Sequence, residues 1–151
     1  MLISVAGSWE KPQPDWLDWI YLKVADVGHR RASLQSVKPA RNAWAWVHVS
    51  GLTFNLLWES PDGAQHEVRD ILKERPEFIP FVRRPTIAGA GEMKDVCHLT
   101  DAQWFVLNGR RSILSEGRHR LVVTIQSEPT NRVTRSFDLI VPPFDGHLRL
   151  N

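Results

Sequence analysis

The clearest alternation of apolar and polar positions lies near the C-terminus of the chain. Apolar side chains recur at every second position over 121–125 and, with one exception, over 133–141. The intervening residues 128–131 read Glu-Pro-Thr-Asn, a composition typical of turns. Because a half-buried strand is apolar at every second residue, Leu114–Val141 is predicted to form a β-hairpin.

The same reasoning predicts further short strands upstream. We predict strands over Ile20–Ala25, Ala43–Val49 and Leu52–Trp58, whereas Glu67–Arg75 is either a helical turn or a short strand. Asn108-Gly109 predicts a tight hairpin, because this pair tolerates the positive φ angles of a type I′ turn.

The number and spacing of these strands define a fold class. We count about eight short strands and at most one short helix, which is typical of an antiparallel β-sandwich and not of alternating βαβ units. The chain is predicted to form one domain, 1–151, in which residues 1–19, rich in proline and tryptophan, are an extended lead-in.

Composition and charge restrict the classes of function. The hydrophobic fraction of 42% and the charged fraction of 24% are ordinary for a soluble globular protein, and no segment approaches the ~20 apolar residues of a membrane helix. Lys+Arg 19 against Asp+Glu 17 gives a formal +2 without a basic stripe, so extended nucleic acid is not an expected partner. The single cysteine excludes an intramolecular disulfide; a reducing cytoplasm is the default expectation, and an anchored, longer protein is the alternative.

Three segments share a pattern of strand and turn positions. The run YLKVADVG at 21–28, followed by Ala32, is similar to Y-x-x-V-x-N-x-G-x-x-x-A, with Asp26 in place of Asn. Leu57-Trp58 resembles a mid-domain L-x-W, and LSEGRHRLVV at 114–123 resembles L-x-x-G-x-Y-x-L-x-V, with His119 in place of Tyr. These are patterns of the immunoglobulin-like β-sandwich domains found in bacterial proteins of unknown function. The resemblance covers residues 20–141 and implies a sandwich that recognises a partner, often within a larger or membrane-anchored protein.

Two tryptophans on one predicted strand are candidate ligand-binding residues. Trp44 and Trp46 share a strand face, so their rings can form a flat platform for a sugar or a nucleobase. Because large aromatic side chains are usually well buried, we favour the interpretation that both fill the core opposite Phe54 and Trp58.

Four arginines form a second candidate site. Arg118 and Arg120 are predicted to face away from the core, and Arg110 and Arg111 lie one strand earlier. If these strands are neighbours, four guanidiniums converge on a phosphate or on a carboxylate-rich partner. The simpler interpretation is a solvated sheet face balanced by acidic residues such as Asp138.

The sequence contains no motif typical of catalysis or of a metal site. None of the six histidines has a partner at the strand or helix spacing that directs two imidazoles at one ion. We therefore predict no catalytic residue, no metal and no cofactor. A hydrolase that uses Cys97, or a histidine–carboxylate pair, ranks last among the alternatives.

The expected function is a non-catalytic interaction or sensing module. A protein partner, or a second copy of the chain, is expected to bind an apolar edge around Phe78–Val82, because Pro80 cannot donate to a sheet ladder and favours an edge strand. The alternative is a domain that binds a nucleotide or a carbohydrate through tryptophan and arginine side chains.

Overall fold

The computed structural model describes residues 2–6, 17–25, 40–72, 75–85, 97–99, 113–128, 131–143 and 147–151. Within these ranges the regular secondary structure is entirely β. The strands are β1 Leu2–Ala6, β2 Leu17–Ala25, β3 Ala40–Val49, β4 Leu52–Leu56, β5 Trp58–Glu59, β6 Gln65–His66, β7 Arg69–Ile71, β8 Glu77–Pro85, β9 Cys97–Leu99, β10 Ile113–Leu114, β11 Gly117–Glu128, β12 Asn131–Val141 and β13 Arg149–Leu150.

These strands form two antiparallel sheets that pack against each other, which confirms the predicted β-sandwich. The first sheet has the order β1-β2-β8-β5-β6, with β9 beside β8 and β10 beside β9. The second sheet has the order β13-β12-β11-β3-β4, with β7 also paired to β3. The immunoglobulin-like assignment within this class stays a prediction.

The core lies between the inner faces of the two sheets. Phe81 of the first sheet meets Phe137 of the second with ring centroids 6.4 Å apart and planes inclined by 60°, a tilted arrangement that aromatic pairs favour. Arg135, on β12, also connects the two sheets, because its Nη1 donates a hydrogen bond to the carbonyl of Ile3 on β1. The largest fully buried side chains are Trp58, Phe81, Phe137, Ile3, Leu22, Leu56, Ile71, Ile79, Leu121, Ile125 and Leu139.

The predicted C-terminal hairpin is confirmed as the pair β11–β12. Leu121 lies opposite Phe137 and Ile125 lies opposite Val133, so the apolar positions of both strands share the inner face. The intervening even-numbered residues of β11 consequently share the outer face of the second sheet.

Strand β3 changes its neighbour along its length. Its N-terminal part pairs with β7 and its C-terminal part pairs with β4. A bulge at Asn42, which has a φ of 48°, lies within the part that pairs with β7, between Ala40 and Ala43. The amide of Asn42 donates to Asp70 Oδ1 at 2.9 Å, and its Nδ2 donates to Glu128 Oε2 at 3.3 Å, so polar contacts on both flanks hold the bulge.

Trp58 connects the two sheets at this change of neighbour. The chain passes from β4 in the second sheet to β5 in the first, and the indole of Trp58 turns back into the core, where its side chain is fully buried. Its Nε1 donates to the carbonyl oxygen of Ala43 on β3 at 2.9 Å. A buried indole N–H thereby has the partner that its burial requires.

The prediction that the strand around Phe78–Val82 lies at a sheet edge is wrong. Strand β8 lies inside the first sheet, with β2 on one side and β5 and β9 on the other, and residues 79–82 are buried. The register against β2 shifts where Tyr21 faces Pro80 and Ile20 faces Val82. A bulge at this point accommodates a residue without an amide hydrogen, so proline does not confine β8 to the edge.

Other expectations differ in detail. The segment Glu67–Arg75 contains strand β7, so the second of its two predicted alternatives is the one observed. Part of the predicted lead-in, Leu2–Ala6, is an edge strand of the first sheet. The described residues form more strands than the eight expected, because six of them are only two or three residues long. The predicted Asn108-Gly109 hairpin lies outside the described residues.

Candidate functional site

The outer face of β3 carries Trp44 and Trp46, so the interpretation that they fill the core is wrong. The inner positions of this strand are Ala43, Ala45 and Val47, which are buried. Trp44 is 36% exposed and Trp46 is partly exposed. Alternation along the strand correctly placed the two indoles on one face, but the usual burial of tryptophan assigned that face to the wrong side of the sheet.

The two indole rings lie close together with similar orientations. Their centroids are 6.5 Å apart and their planes are inclined by 26°. The guanidinium carbon of Arg132, on β12, lies 5.8 Å from the centroid of the Trp46 ring, within the range of a cation–π contact. We call Trp44, Trp46, Gln126 and Arg132 the tryptophan platform.

Gln126 holds Arg132 in this position. Its Oε1 accepts hydrogen bonds from Nε and Nη2 of Arg132, at 3.2 and 2.8 Å. The register explains the contact, because Gln126 of β11 lies opposite both Arg132 of β12 and Trp44 of β3. Neither Gln126 nor Arg132 was predicted as a site residue, because their contact depends on the register of the hairpin, which places them side by side on the outer face.

The core does not need the bulk of the two outer tryptophans. Ala43 and Ala45 leave room above the inner face of β3, and the indole of Trp58 packs into the core there and bonds the Ala43 carbonyl. Large side chains on the solvent side of β3 consequently add little to packing and are available for contact with a ligand.

Arg118 and Arg120 lie on the same outer face, at the other end of β11. Their guanidiniums share one acceptor: Arg118 Nη2 is 2.6 Å from Asp138 Oδ2, and Arg120 Nη1 is 3.3 Å from Asp138 Oδ1. The hydrogen bond from Arg118 lowers the pKa of Asp138, and the same bond raises the pKa of Arg118. Both arginines remain exposed, but their charge is partly balanced, as the simpler interpretation expects.

The structure separates the two candidate sites. Trp46 lies opposite Thr124, and Arg120 is four positions further along β11, which corresponds to ~13 Å in an extended strand. Arg110 and Arg111, the other predicted members of the arginine site, lie outside the described residues. The platform and the pair Arg118–Arg120 are therefore distinct clusters on one face.

A serine, a histidine and an aspartate meet at the turn between β5 and β6. Ser60 Oγ donates to Asp62 Oδ1, lies 3.0 Å from the carbonyl of Ala64 and lies 3.3 Å from His66 Nε2. In a catalytic triad the histidine lies between the serine and the carboxylate, accepting the serine proton. Here the carboxylate bonds the serine directly, and this bond lowers the pKa of Asp62. The cluster stabilises the turn Ser60-Pro61-Asp62-Gly63, where Gly63 has a φ of 86°.

A shallow depression of about 470 Å³ lies beside the β3 bulge. Its charged groups include Arg69 and Glu77, which form an ion pair of 3.1 Å with each other, and Asp70, which accepts from the Asn42 amide. Its lining residues are Asn42, Val68, Arg69, Asp70, Leu72, Arg75 and Glu77.

Residues with metal-binding side chains do not gather in the described ranges: no group of three or more His, Cys, Asp or Glu is placed to hold an ion there. The side chains of Cys97 and His98 lie outside the part of the chain that the structure describes.

A search for membrane-spanning helices in the described residues finds no candidate. Comparison of the chain with protein-family models, with curated proteins and with solved structures finds no match.

Proposed function

We propose that this domain is a non-catalytic binding module that contacts a nucleotide through the tryptophan platform. The observation that carries this proposal is the pair of partly exposed indoles on β3, 6.5 Å apart and similarly inclined, on the side of the strand that the core does not use. Aromatic faces of this kind stack with nucleobases whatever the base, because every base has a π-face.

Arg132 favours a nucleotide over a neutral sugar. Its Nε and Nη2 are directed to Gln126, and no acceptor among the described residues bonds its Nη1. This nitrogen can donate to a phosphate oxygen while a base stacks on the neighbouring indole. Gln126 fixes the guanidinium beforehand, which reduces the entropy lost on binding.

The test is a titration of the protein with nucleoside monophosphates, the matching nucleosides and neutral oligosaccharides, followed by calorimetry. We expect Trp44→Ala and Trp46→Ala each to weaken nucleotide binding by roughly 5- to 150-fold, since stacking on an aromatic side chain is worth about 1–3 kcal/mol per base. Arg120→Gln, at the other end of the same face, is the matched control and should bind as the wild type does.

The phosphate contact has its own variant. Arg132→Gln should weaken the monophosphate and leave the weaker binding of the nucleoside unchanged. Binding of oligosaccharides in place of nucleotides would assign the platform to carbohydrate. If no ligand of the panel binds, or if both tryptophan variants bind as tightly as the wild type, the proposal is wrong.

A further inference from the structure

Strand β4 is an open edge of the second sheet. It pairs with β3 on one side, and no described residue pairs with its other side. Its sequence, Leu-Thr-Phe-Asn-Leu at 52–56, contains no charge and no proline, the usual devices by which proteins protect sheet edges. Leu52 is 59% exposed and Phe54 is partly exposed, so the edge also offers apolar surface.

The other described edges are shorter or protected. Strands β6, β10 and β13 have two residues each, and β7, which pairs only with β3, has three. Strand β1 matches β4 in length, but the carbonyl of Ile3 accepts a hydrogen bond from Arg135. A guanidinium at that position blocks a further strand, whereas β4 has no comparable group among the described residues.

The β3–β4 turn determines which backbone groups of β4 point outward. Ser50 and Gly51 form the loop, with φ angles of 50° and 77°, as in a type I′ turn. In such a hairpin the flanking pair, Val49 and Leu52, is hydrogen-bonded, and bonded pairs then alternate along the ladder. The amides and carbonyls of Thr53 and Asn55 consequently face away from β3.

We propose that β4 pairs in antiparallel fashion with β4 of a second copy of this chain. The strand is symmetric in character about Phe54, with a polar residue and then a leucine on each side. A two-fold axis at Phe54 therefore places Thr53 opposite Asn55 of the second copy, and each such pair exchanges two backbone hydrogen bonds. The two Phe54 side chains lie opposite each other at the axis, and each exposed Leu52 lies opposite a Leu56, whose side chain is buried in its own core.

This dimer joins the two second sheets into one continuous sheet. Because the axis is perpendicular to the sheet, the outer faces of both copies point to the same side. The two β3 strands are separated by three strand spacings, ~14 Å. Two tryptophan platforms then lie on one surface. The dimer itself does not depend on the proposed nucleotide binding.

The test measures association by sedimentation velocity over a range of protein concentrations. Asn55→Pro removes an amide hydrogen that faces outward and leaves the β3–β4 ladder intact, and Asn55→Ala is the matched control that keeps this hydrogen. In the proline variant the dimer loses two of its four backbone hydrogen bonds. We therefore expect its dissociation constant to rise roughly 25-fold, at about fivefold per bond. Asn55→Ala should dimerise like the wild type.

Two further measurements make the result independent of folding defects in the proline variant. Asn55→Lys places a charge at the edge without changing the backbone and should also give monomers. In the wild type, hydrogen exchange at the amides of Thr53 and Asn55 should slow as the concentration rises. A wild type that stays monomeric at all concentrations, or a dimer that both Asn55→Pro and Asn55→Lys leave intact, would overturn the proposal.

Discussion

Replacing Trp58 with phenylalanine should destabilise the fold far more than the same change at an exposed tryptophan. Trp58 is fully buried and its Nε1 donates to the Ala43 carbonyl at 2.9 Å. Phenylalanine removes the donor and leaves this carbonyl unsatisfied, at a cost of about 1–3 kcal/mol. The smaller ring also leaves a cavity that costs ~1 kcal/mol. The expected loss is therefore about 2–4 kcal/mol, a large share of the ~5–15 kcal/mol that stabilises a typical domain.

Trp44 provides the matched control for this measurement. It is 36% exposed on the outer face of β3, in the opposite sheet, and has no place in the core, so Trp44→Phe should change the free energy of unfolding by no more than about 0.5 kcal/mol. Urea denaturation followed by far-UV circular dichroism reports both variants without relying on tryptophan emission, and an unchanged m value would show that only stability has changed.

Two outcomes would refute the reasoning about Trp58. If Trp58→Phe loses less than about 1 kcal/mol, the Ala43 carbonyl does not depend on the indole. If the two variants are equally destabilised, the distinction between an inner and an outer tryptophan is wrong, and the assignment of the platform to the solvent side fails with it.

Three smaller changes test other contacts. Ser50→Asn should stabilise the protein by about 0.5 kcal/mol in urea denaturation, because asparagine tolerates the observed φ of 50° better than serine, and any loss would contradict the type I′ turn. The pKa of Asp138 is lowered, first by its hydrogen bond from Arg118, so the stability it contributes is present above the unfolded-state pKa of about 3.9 and is lost as the pH falls through the lower folded-state pKa. Asp138→Asn should accordingly be less stable than the wild type near neutral pH and equal to it in strong acid, whereas a pH-independent difference would exclude the ionic contact. Arg135→Gln should cost about 1 kcal/mol and speed amide exchange in β1, because it removes the bond to the Ile3 carbonyl; unchanged exchange would show that this bond does not hold the edge.

Alternation predicted the parts of the fold in which one face of a strand is apolar and the other is not. The hairpin β11–β12 and its register follow from the apolar positions of both strands, and the prediction of a sandwich follows from the number of such strands. Pro80 was misleading because the edge rule assumes an uninterrupted ladder, and a bulge between β2 and β8 removes that assumption. The partner of each strand depends on contacts distant in sequence, which local patterns do not contain.

The sequence pattern could place Trp44 and Trp46 on one face of a strand, but it could not show that this face is exposed to solvent. Both sides of β3 are apolar, with Ala43 and Ala45 on one and Trp44 and Trp46 on the other, so hydrophobicity alone could not say which side faces the core. Residue size favoured the tryptophans, but the space above the alanines belongs to Trp58, which arrives from the opposite sheet. A core has a fixed volume and is packed without large voids, so one indole in that position leaves no room for two others. The long-range placement of Trp58 therefore explains why the platform of Trp44 and Trp46 faces solvent.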